Sequence, residues 1–368
     1  MSRSTHIGLG LRSFDWILVA AVLILSMVGM AAIYSVDLSR GEDLIFFPTQ
    51  LLALSLGFLA ILVLGFVHIS FFESQALLAY LSAFFLLVLV LFFGQTIRGT
   101  TGWFRVAGFS FQPAEFAKLA LILFLGWRIE RQGRRFDRWQ FVLATGFMTF
   151  LLVGLIIAQP DLGSAAILAG IWFSLLLVSR TKKRYIVSLV GFVVLAMVLG
   201  WFFFFQDYQK ERLLTFLNPE RDPLGAGYNV SQSIIAVGSG KWLGRGLGFG
   251  SQSQLHFLPE AQTDFIFSVI GEELGFMGAL LLLLVYSVLL WRLVHSARIC
   301  RSDFGAYTVL GIALMFLLQL LVNIGAAIGM LPVTGVTLPF VSYGGSSLLI
   351  NCLLIGIAQS ALRSSTQF

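Results

Sequence analysis

The stretch FLPEAQTDFIFSVIGEELGF, residues 257–276, decides how this chain is read, because Asp264, Glu272 and Glu273 lie in or beside a run whose other residues suit a membrane-buried helix. The apolar pattern that opens at Asp264 continues to residue 292, and crossing roughly 30 Å of hydrocarbon takes about 20 apolar residues. The rest of the chain has the same character: 58% of its 368 residues are hydrophobic, only 11% are charged, and the mean hydropathy is +0.91. Soluble domains carry about 25% charged residues. The fold class is therefore an all-α polytopic membrane protein. With short connections this length accommodates about ten spans and no separate soluble domain, so residues 1–368 are read as one integral membrane domain.

Apolar runs bounded by polar or Gly/Pro punctuation predict spans over 14–36, 47–67, 71–93, 113–130, 141–159, 162–180, 185–206, 264–292, 304–330 and 340–362. The first is longer than a signal-peptide core and lacks a small-residue cleavage site, so it is read as a retained span. An N-terminus on the inside puts fifteen Lys and Arg residues on that side and eight on the other. Basic residues near span ends favour the cytoplasm, which predicts two cytoplasmic termini and a long extracytoplasmic loop, about 207–263, between spans seven and eight. In that loop Val230, Ile234 and Ile235 follow helical spacing after Asn229 as a cap, predicting a short amphipathic helix near the membrane surface.

Several signals carry nothing. The net charge of +6 is split into short inter-helix clusters, so no nucleic-acid surface is read from it. The four His residues, 6, 68, 256 and 295, have no metal-ligand spacing. GRGLGFG, residues 244–250, lacks the flanking strand and helix of a dinucleotide site, and there is no phosphate-binding GxxxxGK[ST] loop. Cys300 and Cys352 lie far apart and read as packing residues.

Three constellations remain, each with a structural reading beside a functional one. Asp264 opens an apolar run, where an acid can cap a helix; a carboxylate at the outer membrane face can equally serve a hydroxyl nucleophile as general base. If the run is one straight helix, Glu272 and Glu273 lie about 12 Å deeper than Asp264. Intramembrane acids are costly and must face protein, a cation or water. Gly271 and Gly275 make a Gly-xxx-Gly spacing that admits a neighbouring helix. In RGTTGWFRVAGFSFQPAEFAKLALI, residues 98–122, Glu115 and Lys118 share a helix face after Pro113. They either pair with each other or, with Arg98 and Arg105, offer cations to a pyrophosphate. NIGAAIGMLPVTGVTLPFVSYGGSS, residues 323–347, has too much Pro and Gly for a continuous helix. Non-helical backbone at membrane depth persists only where protein or a wet cavity satisfies it, which predicts a broken segment lining a site, with an ordinary loop as the alternative.

QPAEFAKLA in the fourth span, QPDLGSA at 159–165, the stretch around Asp264 and above all GMLPVTGVTLPFVSYGGSS resemble the shape, elongation, division and sporulation (SEDS) family, which includes RodA and FtsW. The resemblance implies a peptidoglycan glycosyltransferase that polymerises lipid II at the outer face of the bacterial cytoplasmic membrane, with the family's catalytic aspartate at Asp264. In that reaction a GlcNAc C4 hydroxyl attacks the anomeric carbon of the chain's terminal MurNAc and undecaprenyl pyrophosphate leaves. The base would be Asp264; Arg98, Arg105, Lys118 or a divalent cation such as Mg²⁺ or Mn²⁺ would meet the leaving charge. Glu115, Asp161, Glu272, Ser342, Tyr343, Gly344 and Gly345 are the other substrate-binding candidates. The implied partners are lipid-linked glycan, a class B penicillin-binding protein transpeptidase and other elongation-complex membrane proteins. Short tails, PLGAGYNVSQS and GFGSQSQLHFLPE resemble the elongation branch more than the division branch, while GKWLGRG departs from the family's usual Gly-Gly-Leu there. A flippase for the same precursor and a non-catalytic scaffold are the competing readings.

Overall fold

The protein is described as a computed structural model over residues 14–41, 44–97, 99–106, 109–132, 138–179, 181–204, 210, 214–216 and 225–366. Its longer elements are α1 (Trp16–Leu38), α2 (Phe46–Phe66), α3 (Ile69–Phe93), strands β1 (Gln95–Ile97), β2 (Thr100–Val106) and β3 (Phe109–Phe111), α4 (Pro113–Gln132), α5 (Trp139–Ile157), α6 (Leu162–Val178) and α7 (Lys183–Leu199). There follow α8 (Ala226–Ser239), the short α9 (Ser251–Gln254), α10 (Ile266–Ile299), α11 (Asp303–Ala327) and α12 (Gly345–Thr366).

Seven of these, α1, α2, α3, α5, α10, α11 and α12, are long and apolar enough to cross a bilayer on their own. The other three predicted spans coincide with α4, α6 and α7. Charges at Glu115, Lys118, Arg128, Glu130 and Arg131 lower the hydropathy of α4, and α6 and α7 have 17 residues each. Local chemistry starts the helices where they start. Asp15 accepts from Leu18 N at 3.1 Å to cap α1, Asp161 from Ser164 N at 2.9 Å to cap α6, and Ser302 from Gly305 N at 3.0 Å to cap α11. For α2 the cap comes from across the turn: Asp37 Oδ2 accepts from Phe46 N and Phe47 N at 2.8 and 2.7 Å.

One connection departs from helix. Between α3 and α4, residues 95–97, 100–106 and 109–111 form a three-stranded antiparallel sheet in the order β1-β2-β3. Its Thr, Trp, Phe and Val content suits strands, and Gly99 turns the chain at φ +78°. The long loop also holds a correction: α8 begins at Ala226, after Gly225, so Asn229 lies inside the helix and is not its cap. Ile234 and Ile235 stay exposed, as an amphipathic surface helix requires, while Ser233 and Ala236 are buried against the bundle.

At the N-terminal end of the bundle a buried clasp joins three helices. Arg292 donates to Asp15 Oδ2 from Nε and Nη2, both at 2.7 Å. Gln359 exchanges two 2.9 Å bonds with the Asp15 backbone. Near the opposite end α10 is broken. Gly275, at φ +66° and ψ −165°, interrupts it, and residues 241–246 of the long loop complete both cut ends. Lys241 and Trp242 carbonyls accept from Phe276 N and Met277 N at 2.8 and 3.1 Å, while Arg245 N and Gly246 N donate to the Glu272 and Glu273 carbonyls at 3.0 and 2.9 Å. A break at membrane depth is tolerated when other protein groups take its hydrogen bonds. Gly271 admits a neighbour as its spacing suggested, with Gly240 packed against its carbonyl, but Gly275 acts as the break and not as a helix-packing position.

Candidate active site

Asp264 lies in the turn that leads into α10, one residue before Phe265, which holds the cap position without a side-chain cap bond. Asp264 thus sits one residue outside the cap position. Thr263 and Phe265 are buried on either side, while Asp264 is partly exposed. The turn is tied to the broken segment between α11 and α12: Ser342 Oγ donates to Thr263 O at 2.7 Å and Tyr343 N to Gln262 O at 2.8 Å. Asn323 of α11 completes the frame. Its Nδ2 donates to Asp264 O at 3.0 Å and to Val336 O at 2.8 Å. Asp264, Val322, Asn323, Ala326 and residues 333–336 line a narrow crevice at this point.

The broken segment, 328–344, is non-helical as its Pro and Gly content predicted, and its polar backbone is supplied with partners from inside the bundle. Tyr286 of α10 donates to Pro339 O at 2.5 Å. Gln50 of α2 donates to Ser342 O and accepts from Gly344 N, both at 3.1 Å. Ser342 Oγ also accepts from Leu338 N at 2.9 Å. Gly29 of α1 lets Val341 approach so closely that a Cβ there would sit 2.5 Å from its carbonyl oxygen. Gly344 and Gly345 deliver the chain into α12, and the Tyr343 ring packs on Phe46, 4.8 Å between centroids. The segment is thus held from inside the bundle by α2 and α10 and packed closely against α1.

The remaining candidates arrange around the same end. Asp161 accepts from Gln112 Nε2 at 3.1 Å, and Gly163 packs against the carbonyl of Thr334. Ser346 donates to Ser110 O at 2.5 Å, and Ser110 pairs with Arg105 across β2 and β3, so exposed Arg105 stands one strand from the start of α12. Glu115 and Lys118 form a 2.7 Å ion pair with both side chains almost wholly buried. Arg98 lies outside the described residues. Sequence reasoning missed Asn323, Gln50, Gln262 and Arg40; the exposed Arg40 donates to Gln262 Oε1 at 3.2 Å. A lone polar residue inside an apolar run, as Asn323 is in LLVNIGAA, was the available signal.

Glu272 and Glu273 are placed differently from the straight-helix expectation. Glu273 Oε1 accepts from Ser35 Oγ at 2.5 Å, and Ser35 is three residues from the end of α1; Asn323, beside Asp264, is four residues from the end of α11. Both helices end on the same side, so the 266–274 half-helix links two helix ends and does not descend by about 12 Å. Glu272 accepts from Gln252 N at 2.8 Å and Ser253 N at 3.1 Å, and Glu273 also from Gly248 N at 3.2 Å. Both carboxylates fasten the long loop.

The geometry is that of a multi-pass membrane protein with a partly exposed carboxylate held beside a non-helical segment near one end of the helix bundle. Residues 13–367 match the FtsW/RodA/SpoVE family described as cell cycle protein. Stage V sporulation protein E of Bacillus subtilis is 37% identical over 367 residues, covering 95% of this chain and 97% of that protein. The probable peptidoglycan glycosyltransferase FtsW of Trichlorobacter lovleyi is 35% identical over 359 residues (94% and 92%), and the peptidoglycan glycosyltransferase MrdB of Escherichia coli K12 is 38% identical over 324 (88% and 87%). A solved structure described as a peptidoglycan synthase complex coordinating polymerization and crosslinking superposes with a TM-score of 0.82 at 33% identity, covering 96% of this chain and 99% of that one. The rod shape determining protein RodA of Thermus thermophilus gives 0.72 at 31%, covering 96% and 98%. The chain belongs to the SEDS family and is a peptidoglycan glycosyltransferase.

Proposed function

We propose that the chain polymerises lipid II at the outer face of the cytoplasmic membrane with Asp264 as general base, and that it serves cell elongation. The observation that carries the base assignment is the framing of Asp264: its backbone is pinned by Asn323 and its neighbours by Ser342 and Tyr343, while the residue itself stays partly exposed. Fixed geometry at a solvent-reachable carboxylate is what general-base catalysis needs. Asp264 takes the proton of the acceptor C4 hydroxyl as the new C4–O–C1 bond forms and the C1–pyrophosphate bond breaks. Cationic side chains, or a divalent cation held together with the substrate's own phosphates, would meet the leaving charge. Arg40 and Arg105 are exposed near the site, whereas Lys118 is already committed to Glu115.

Ten crossings with both termini cytoplasmic put Asp264 on the outer side, consistent with a lipid-linked donor whose pyrophosphate makes nucleotide unnecessary. The partner is a class B penicillin-binding protein, in keeping with the polymerising and crosslinking complex that this fold resembles. A flippase would need its intramembrane charges available to a head group, whereas Glu115 and Lys118 are paired with each other and Glu272 is engaged by the loop. The test is glycan synthesis from lipid II by purified protein with its transpeptidase, parent against Asp264→Asn at matched thermal stability. Loss of glycan with the fold retained is expected; normal polymerisation by the variant would refute the base assignment. Rescue of rod shape, and not of septation, in cells depleted of their own enzyme is expected for the elongation role.

A further inference from the structure

Away from Asp264, an apolar cavity of about 490 Å³ opens between α5, α6 and α7. Asp161, on the active-site side, starts α6, and Trp172 lines the cavity about 16 Å further along that helix. The floor is fixed. Trp172 is buried, its Nε1 donates to Thr145 Oγ1 at 3.1 Å, and its ring meets Phe150 edge-on with centroids 5.5 Å apart. Gly146 lies so close that a Cβ there would be 2.9 Å from the Trp172 ring. A preformed apolar cavity of this kind takes a lipophilic ligand at low ordering cost. Along α5 the lining runs from Trp139 to Phe150, about 16 Å, which is one leaflet's share of roughly 30 Å of hydrocarbon. Spread over that length, the volume gives a mean cross-section of about 30 Å², less than half that of a helix about 10 Å across. The shape suits one extended chain and not a partner helix.

The mouth has a different chemistry. Trp139 and Tyr185 line the cavity in the first turns of α5 and α7, and such amphipathic rings settle at head-group level. Arg184 lies over the Tyr185 ring, 4.9 Å from its centroid, and donates from Nη2 to Tyr185 Oη at 2.9 Å, so a guanidinium stands at the rim. Arg138, Lys182 and Lys183 are exposed at the starts of the same two helices, and the described residues 138–142 and 181–189 include no Asp or Glu. We propose that this cavity binds an anionic phospholipid of the cytoplasmic leaflet, one acyl chain filling the space between α5, α6 and α7 while the phosphate meets Arg184 and Lys183. Basic pockets between membrane helices on the cytoplasmic side hold such head groups, and the guanidinium fork matches phosphate oxygens. The bound chain ties α7, which lines the cavity through Tyr185, Ser188 and Leu189, to α5 and α6. The choice of leaflet rests on the orientation given above; the cavity and its cations do not.

The test is native mass spectrometry of the delipidated full chain in detergent, with dioleoyl phosphatidylglycerol and dioleoyl phosphatidylcholine titrated separately. The two lipids share their chains and differ in head-group charge. The Kd for the first lipid bound is expected to be about tenfold lower for phosphatidylglycerol. Lys183→Gln with Arg184→Gln should bring the two lipids within about twofold, whereas Arg298→Gln, which removes an exposed cation from the last turn of α10, should leave the preference intact. Ser188→Trp fills the cavity from the exposed side of α7 and should weaken the first phosphatidylglycerol about tenfold at an unchanged melting temperature, with Ser188→Ala behaving as the parent. Equal affinities of the parent for the two lipids, undiminished uptake by Ser188→Trp, or an equal loss of preference in Arg298→Gln would each overturn the site, the last by showing only diffuse surface charge. Sidedness and glycan synthesis do not enter the measurement, so its failure is distinct from failure of the polymerase reading.

Discussion

Substituting Gly275 by Ala should loosen the loop that completes the broken α10. The residue sits at φ +66° and ψ −165°, a region that is essentially glycine-only and costs other residues about 1–3 kcal/mol. The added Cβ would lie 2.2 Å from Gly244 N, 2.8 Å from Leu243 C and 2.9 Å from Gly240 O, all backbone atoms that cannot swing aside. The loop must shift, and four backbone bonds between residues 241–246 and the two halves of α10 depend on its position. Losing two of them adds about 1–3 kcal/mol, so the total is about 2–6 kcal/mol. Thermal unfolding in detergent reads the stability, and hydrogen exchange at Arg245, Gly246, Phe276 and Met277 reads the site of the damage. Gly154→Ala is the control: it makes the same chemical change in a helix with open space around it and should be neutral or stabilising by up to about 1 kcal/mol. If Gly275→Ala matched the parent in stability and in exchange at those four amides, the broken-helix account of α10 would be wrong.

Lys118→Met strands the buried carboxylate of Glu115 and should cost about 3–5 kcal/mol. The exchange Glu115→Lys with Lys118→Glu should recover all but about 1 kcal/mol, lost by placing a cation in the first turn of α4; undiminished glycan synthesis by that double variant would rule out a phosphate-binding role for Lys118. At the opposite end of the bundle Arg292→Ala removes the partner of Asp15, whose side chain is 1% exposed. A loss of about 3 kcal/mol in thermal unfolding is expected, partly restored by adding Asp15→Asn, which keeps an oxygen for Leu18 N. Activity per folded molecule should be unchanged in both, because the clasp lies far from Asp264; an unaltered melting curve for Arg292→Ala would show that the clasp is not a stabilising contact.

Much of this protein was legible along the chain. Span positions follow from hydropathy, which sums residue by residue over about 20 positions, and the predicted runs fall on α1 to α7 and α10 to α12. The Pro and Gly of 328–344 announced a broken segment because their backbone limits are local. Glu115 and Lys118 were recognisable as partners from i, i+3 spacing alone, although the sequence left open whether they also met substrate. The strands of 95–97, 100–106 and 109–111 carry aromatic and β-branched residues that suit them, but which of them pair, and in what register, is set by the folded chain.

What the sequence by itself determined, then, is the membrane class and the placement of the helices. Only the tertiary structure decided that α10 stops at Gly275, that the loop from 240 to 254 replaces the missing helical bonds, and that Glu272 and Glu273 fasten this loop near a helix end. Asn323 acquires its place beside Asp264 in the same way, through partners 59 and 13 residues distant. The physical reason is range. Burial in hydrocarbon depends on each residue's own transfer free energy, whereas an interrupted helix survives only if distant segments supply hydrogen bonds at the right distance and direction, and that geometry exists only once the chain has packed.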